Sequence, residues 1–205
     1  MRLYYAPRTI SIAAVIALEE AGLPYDPVPV DFASGAQTKP EYLALNPKGR
    51  VPVLETDMGA LLTETGAILE YIAALAPDAG LMPTDPIKAA QMRSVMYYLA
   101  ATMHVNHAHK MRGHRWADQQ SSFDDMKSKV AQTMTQSARY FTDACLSGDY
   151  VLGDAFSVAD AHAYMVCSWL EGDGVELDDF PKIQAFLVRM QGRASVQSAI
   201  AQGML

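Results

Sequence analysis

Residues 2–32 combine two short strand-like runs with one helical stripe. Residues 2–5 are a short stretch rich in aromatic side chains, and residues 28–32 form a second run typical of a strand. Between them, residues 11–21 carry apolar side chains at helical spacing, and this pattern stops at Gly22 and Pro24. The strand-helix-strand order predicts two parallel strands joined by a right-handed crossover.

The pattern changes after residue 32. Residues 33–45 show no clear period and predict a loop with an irregular helical turn. Residues 51–55 and 60–62 flank a turn sequence and predict a hairpin. Residues 65–75 predict a helix, and a linker containing proline and glycine follows at 76–83.

After residue 84 only helical spacing recurs. One apolar seam, with spacings of three and four, consists of Ala89, Met92, Met96, Leu99 and Met103. A second seam spans residues 123–145, and further helices are predicted at 157–170, 181–190 and 194–201. We therefore predict an α/β domain at residues 1–78 and an all-α helical-bundle domain at residues 84–205.

Composition narrows the class of protein. Half of the 205 residues are hydrophobic and the mean hydropathy is near zero, as in globular proteins. The net charge of −7 argues against nucleic acid and anionic membranes as partners. No apolar run is long enough to span a bilayer, and no secretory signal is visible. Cys145 and Cys167 match no metal or redox spacing, so we expect a cytoplasmic protein.

Two short phrases in the first domain suggest a site for a small anionic peptide. Val51 precedes Pro52, which cannot donate to a sheet, so this dipeptide belongs at a strand end with its backbone groups at an edge. Glu64 and Thr65 precede a predicted helix, whose free amides and dipole attract a carboxylate. An ordinary edge proline and an ordinary helix cap explain the same residues, and both interpretations stay open.

Ser157 and Asp160 have the spacing of a capping box, with Asp in place of the usual Glu or Gln. We interpret this pair as structural, because it stands immediately before an apolar helical stretch.

The order of these elements resembles the glutathione transferase superfamily, and most closely its bacterial beta class. The resemblance covers essentially the whole chain. It is carried by Leu3-Tyr4-Tyr5-Ala6-Pro7, Ile16-Ala17-Leu18-Glu19-Glu20, Asn46-Pro47-Lys48-Gly49-Arg50-Val51-Pro52-Val53-Leu54, residues 62–72 and Ser157-Val158-Ala159-Asp160. It implies a thioredoxin-like first domain that binds glutathione and a helical second domain that forms the pocket for a second substrate.

The resemblance also implies how glutathione is held. The Val51–Pro52 bond is expected to be cis, with the Val51 backbone pairing with the cysteinyl residue, and Glu64 and Thr65 are expected to recognise the γ-glutamyl end. Arg50 and His104 complete the implied glutathione-binding set. Glutathione would be the co-substrate, a small apolar electrophile the second substrate, and the protein a homodimer.

The chain departs from the beta class at Ile10, where those enzymes typically have cysteine. A thiol titrates near ~8.5, so a transferase needs a donor that stabilises the thiolate. Three hydroxyls are close in sequence: Ser11 is the first choice, and Thr9 and Tyr5 are alternatives. His104 matches a family histidine that lies beside the sulfur, and it is expected to contribute to the same task.

Four of the five histidines lie between residues 104 and 114, and no cysteine or acidic residue stands at ligand spacing among them. We therefore predict no metal site. The pocket for the second substrate is predicted to be lined by Ile10, Tyr97, Met103, His107 and Met111.

These observations predict a detoxifying transferase that joins the glutathione thiol to an apolar electrophile. Two alternatives remain: a non-catalytic protein that binds glutathione or apolar ligands, and an interaction module on the same fold. Reductase, peroxidase, isomerase and dehalogenase reactions also occur on this scaffold.

Overall fold

The computed structural model describes all 205 residues, which form two compact units. The first unit comprises Met1–Asp85 together with Gln191–Leu205, and the second comprises Pro86–Met190. The helices are α1 (Ile12–Ala21), α2 (Pro40–Leu43), α3 (Thr65–Leu75), α4 (Pro86–Tyr98), α5 (His104–Arg112), α6 (Gln120–Tyr140), α7 (Val158–Cys167), α8 (Pro181–Gln191) and α9 (Ala194–Ala201). None of the helices is long and apolar enough to cross a membrane.

The first unit contains a mixed four-stranded sheet. Its strands are β1 (Arg2–Tyr5), β2 (Asp26–Pro29), β3 (Val53–Glu55) and β4 (Leu61–Thr63), in the spatial order β2-β1-β3-β4. As predicted, β1 and β2 are parallel, and β3 and β4 form a hairpin. This is the thioredoxin-like arrangement with a mixed sheet.

Strand β2 begins two residues earlier than the predicted run at 28–32. It contains Pro27 and Pro29, which normally argue against a strand. Both are tolerated because β2 lies at the edge of the sheet and pairs only with β1.

Helix α1 is the centre of the first unit. Every residue from Ile12 to Leu18 is buried, because the helix packs against α3, α9 and β1. It ends at Gly22, whose φ of 63° lets its N–H reach the carbonyl of Glu19.

The position of helix α9 changes the predicted boundary of the second domain. We expected residues 84–205 to form one helical domain, but 191–205 belong to the first unit. Arg193 donates to both carboxylate oxygens of Glu20 at 2.7 and 2.6 Å, and Ser195 donates to the same carboxylate. Helical spacing identifies an apolar face but does not identify the surface that this face covers.

The second unit is helical throughout, with α4 to α8 around one core. The seam from Ala89 to Met103 is buried, as its spacing predicts. Helix α4 passes into α5 through one π-helical turn at Leu99–Met103. The capping box of α7 is present: the Asp160 carboxylate accepts from the N–H of Ser157 at 2.8 Å and from the N–H of Val151 at 2.7 Å.

Candidate functional site

The sheet register gathers the predicted site residues of the first unit at one end of the sheet. Tyr4 pairs with Val53, and Val53 pairs with Thr63. The end of β1, the start of β3 and the end of β4 therefore lie side by side. Consequently the loop after β1, the Val51–Pro52 dipeptide and Glu64 share this edge.

The Val51–Pro52 peptide bond is cis. The preceding carbonyl, that of Arg50, accepts hydrogen bonds from the Tyr42 hydroxyl and from Asn46 Nδ2, both at 2.7 Å. Burial raises the pKa of Tyr42, so its hydroxyl stays protonated and available as a donor. These bonds fix the backbone that leads into Val51.

Val51 presents an unpaired backbone. Its side chain packs against the buried cluster of Val30, Tyr42 and Val53. Its N–H and C=O take part in no hydrogen bond within the protein. An extended peptide laid along this edge would find one donor and one acceptor at strand spacing.

Glu64 has a backbone conformation that non-glycine residues rarely adopt. Its φ is 70° and its ψ is 121°, and it is the N-cap residue of α3. Such conformations are costly and concentrate at ligand-binding positions. Its carbonyl accepts from Ile68, whereas the amides of Thr65 and Gly66 have no acceptor in the protein. The first turn of α3 thus offers free N–H groups and the positive end of the helix dipole.

Lys48 joins this group although it was not among the predicted site residues. Its Nζ lies 2.5 Å from Glu64 Oε1 and 2.8 Å from Thr63 Oγ1. The signal was present in the sequence, because Lys48 stands in the same loop as Arg50. The site therefore contains one carboxylate, one ammonium and a helix N-terminus.

The loop between β1 and α1 places its hydroxyls differently from the prediction. Ser11 is completely buried, and its Oγ accepts from the N–H of Ala6 at 3.1 Å. Thr9 is half-buried, and its Oγ1 lies 2.7 Å from Ser11 Oγ and 2.8 Å from the carbonyl oxygen of Ala6. Ser11 therefore holds the loop, and Thr9, whose hydroxyl donates to the Ala6 carbonyl, is the less buried residue of the pair.

The other residues of this segment are more buried or are bonded through their backbone. Tyr5 is largely buried at the end of β1, and Ile10 is 5% exposed. Arg8 has a φ of 58°, and its N–H donates to the carbonyl of Met204 at 2.9 Å. Among the three predicted hydroxyl residues of this segment, Thr9 is the least buried.

In the second unit His104 begins α5 beside an aromatic residue. Its ring centroid lies 5.1 Å from that of Trp169 and 6.5 Å from that of His107. Trp169, which sequence reasoning did not select, lies just after α7 and contacts both histidines. Its position follows from the packing of α5 near the end of α7, which spacing along the chain does not reveal.

Met103 is not a wall residue, contrary to our prediction. It has no exposed surface because it belongs to the buried seam of the second unit. Tyr97 and Met111, by contrast, are well exposed. Cys145 and Cys167 are free and buried, and burial raises the pKa of both thiols, that of Cys145 to about 11, so neither is an activated nucleophile.

Comparison with known proteins agrees with this geometry. Residues 1–74 match the glutathione S-transferase N-terminal domain, and residues 103–194 match the glutathione S-transferase C-terminal domain. The glutathione S-transferase GstA of Escherichia coli O157:H7 is 31% identical over 98% of each chain. A maleylacetoacetate isomerase of Pseudomonas aeruginosa is 30% identical over 90% of this chain and 88% of its own.

The fold also matches solved structures. A glutathione transferase homolog from Sulfitobacter with bound glutathione is 59% identical, with a TM-score of 0.98 over 100% of this chain and 98% of its own. Family models thus match most of the chain, and the chain belongs to the glutathione S-transferase family.

Proposed function

We propose that this protein binds glutathione at the sheet edge of its first unit and transfers the glutathione sulfur to a small apolar electrophile. The observation that carries the proposal is the unpaired backbone of Val51 beside the free amides of α3. The Sulfitobacter relative was solved with bound glutathione, which supports the same ligand here.

The tripeptide chemistry fits these groups. The γ-glutamyl carboxylate would lie at the N-terminus of α3, where Thr65 adds a hydroxyl donor, and the ammonium would pair with Glu64. Lys48 and Arg50 supply positive charge beside it, where a second carboxylate can bind. The Val51 N–H and C=O would pair with the cysteinyl backbone.

Thr9 would stabilise the thiolate. One hydrogen bond to a charged acceptor contributes roughly 1.5–3 kcal/mol, which lowers a thiol pKa by about one to two units. For this, the Thr9 hydroxyl hydrogen would turn from the Ala6 carbonyl to the sulfur, and Ser11 Oγ, 2.7 Å from Thr9 Oγ1, would donate to Thr9. Tyr5 and His104 remain further candidates for this role. In the reaction, sulfur forms a bond to the electrophilic carbon and the leaving group departs with its electron pair.

Glutathione binding can be tested by calorimetry on the purified protein. We expect Glu64→Ala to weaken binding strongly, whereas Glu41→Ala, a matched change at an exposed carboxylate of α2, should leave it unchanged. If the wild-type protein takes up no glutathione at millimolar concentration, the proposal is wrong.

Thiolate formation can be tested with the absorbance of bound glutathione near 240 nm as a function of pH. We expect Thr9→Val to raise the pKa of the bound thiol by about one to two units. Ser11→Ala should produce a smaller change, because Thr9 keeps its hydroxyl. An unchanged thiol pKa in Thr9→Val would exclude Thr9 as the donor.

A glutathione-dependent isomerase is the second candidate, because one relative is a maleylacetoacetate isomerase. Addition of a thiolate to a conjugated double bond and its later release would change the geometry of the alkene without consuming glutathione. Loss of free thiol during turnover therefore separates transfer from isomerisation.

We also propose that the protein is a bacterial detoxification enzyme that acts in the cytoplasm as a homodimer. Light scattering on the purified protein tests the dimer.

A further inference from the structure

Only two non-glycine residues of the chain have a positive φ, and both stand at the proposed glutathione site. One is Glu64, the N-cap residue of α3. The other is Arg8, whose φ is 58° and which directly precedes Thr9 in the loop between β1 and α1. A residue with a Cβ rarely adopts this conformation unless the surrounding structure holds it there. Arg8 therefore needs a contact that fixes its backbone.

This contact comes from the residues that follow α9. The N–H of Arg8 donates to the carbonyl of Met204 at 2.9 Å. Met204 is 2% exposed, and it belongs to the first unit together with the loop. The loop is thus held in two ways, because Ser11 bonds to Ala6 within it and Met204 bonds to Arg8 from the side of α9.

A turn at residues 202–204 sets the place of the Met204 carbonyl. Gly203 has a φ of 70°, and its N–H donates to the carbonyl of Ile200 at 2.9 Å. The N–H of Met204 donates to the carbonyl of Ala199, also at 2.9 Å. These two bonds form a Schellman motif, which needs a left-handed residue in the place of Gly203. A Cβ added there would have no neighbour within 4 Å, so only the backbone conformation favours glycine.

Helix α9 lies along α1 and is fixed at both of its ends. Near its start, Arg193 and Ser195 donate to Glu20, close to the end of α1. Just after its end, Met204 accepts from Arg8, shortly before α1 begins. Between these two contacts the helices pack against each other. The fold of the first unit therefore holds the Met204 carbonyl in place.

We infer that the turn at residues 202–204 positions Thr9 for its contact with the glutathione sulfur. The inference rests on the proposed function, in which Thr9 stabilises the thiolate. The planar peptide group between Arg8 and Thr9 is oriented by the backbone angles of Arg8. A change of these angles would turn the Thr9 hydroxyl away from its present direction. Gly203 and Met204 act through the Arg8 backbone and are positioning residues.

The test follows the ultraviolet absorbance of glutathione bound to the intact protein as a function of pH. Gly203→Val places a β-branched residue where φ is 70° and should open the turn. We expect the pKa of the bound thiol to rise by about one, which means about tenfold less thiolate at pH values below the pKa. Amide hydrogen exchange at Arg8 should become faster because its acceptor is lost. Affinity for S-methylglutathione, which has no thiol to ionise, should stay within about threefold.

Two variants are the controls. Gly203→Asn should keep the thiol pKa of the wild-type protein, because asparagine tolerates a positive φ. Gly22→Val introduces the same strain at the end of α1, where φ is 63° and an added Cβ also has no neighbour within 4 Å. It destabilises the first unit without changing the turn at residues 202–204. If Gly22→Val raises the thiol pKa as much as Gly203→Val does, the effect is a general loss of stability and the inference is wrong.

Should Gly203→Val fail to fold, Gly203→Ala makes the same comparison with less strain. In the folded variant, unchanged exchange at Arg8 or an unchanged thiol pKa would overturn the inference. The proposed function would then still stand if Thr9→Val raises the thiol pKa. If the wild-type protein binds no glutathione, the proposed function itself is wrong and this inference falls with it.

Discussion

His162 on α7 is a buried imidazole with no hydrogen-bond partner for either ring nitrogen. Burial, with a smaller contribution from the charge of His104, lowers the pKa of His162 to about 3. The ring is therefore neutral in the folded protein at pH values where an unfolded chain would already protonate it. This single side chain makes the second unit sensitive to acid.

Stability of the protein falls with pH because the unfolded chain takes up a proton that the native His162 does not. Between pH 6.5 and about 3 the unfolded state binds a proton at His162 and the native state does not, so stability falls as the pH falls. The slope from this group approaches about 1.4 kcal/mol per pH unit. We expect His162→Met to remove that slope and to raise stability at pH 7 by about 1 kcal/mol, because two unsatisfied atoms are lost. Urea unfolding from pH 4 to 7 measures both, and equal slopes in the two proteins would contradict the assignment.

Ser157 and Asp160 form the capping box of α7 and should contribute to the unfolding free energy. The Asp160 carboxylate is completely buried and accepts from the N–H groups of Val151 and Ser157 and from the Ser157 hydroxyl. Ser157→Ala should cost about 1–2 kcal/mol of unfolding free energy, as for a lost helix cap. Asp160→Ala should cost about 3 kcal/mol or more, since it leaves buried donors unpaired. Ser128→Ala, at an exposed position of α6, should have little effect in the same urea titration.

Helices α1 and α9 are joined by a charged contact as well as by apolar packing. Burial raises the pKa of Glu20, but the hydrogen bonds from Arg193 and Ser195 and the Arg193 charge outweigh it, and the pKa lies below its usual value. The contact therefore stabilises the fold above a pH of 4.5, and this contribution is lost as the pH falls through the lowered pKa.

Arg193→Met should therefore loosen α9 without unfolding the second unit. Removing one partner of a mostly buried pair costs roughly 1–3 kcal/mol at this degree of exposure. We expect faster amide hydrogen exchange in α9 and unchanged exchange in α7. Arg189→Met, which breaks an exposed pair with Asp149 in the second unit, is the control. Unchanged exchange in α9 would mean that apolar packing alone holds it.

The sequence predicted helices and strands better than the tertiary contacts that they make. The helix at 65–75 and the parallel pairing of β1 with β2 follow from local spacing, and both are found. The burial of Ser11 does not follow from spacing, because its hydroxyl bonds to the backbone of Ala6 only once the loop has folded. His107 and Asp173 are 66 residues apart, so only tertiary structure brings them together.

The first unit is discontinuous in the sequence. The first unit is built from two separate stretches, with the second unit between them in sequence. A chain ending at residue 190 should therefore lose glutathione binding while its second unit keeps its helices, because α1 would expose the apolar face that α9 covers. Calorimetry with glutathione and circular dichroism measure the two outcomes. Full binding by the shortened chain would show that α9 is dispensable.

The hydrogen bond from Arg8 to Met204 has a consequence for biosynthesis. During translation helix α1 stays uncovered on its α9 face until residues 191–205 have left the ribosome, whereas the intervening helices can assemble earlier. The first unit would thus be completed after the second, opposite to the usual order in which amino-terminal domains fold first.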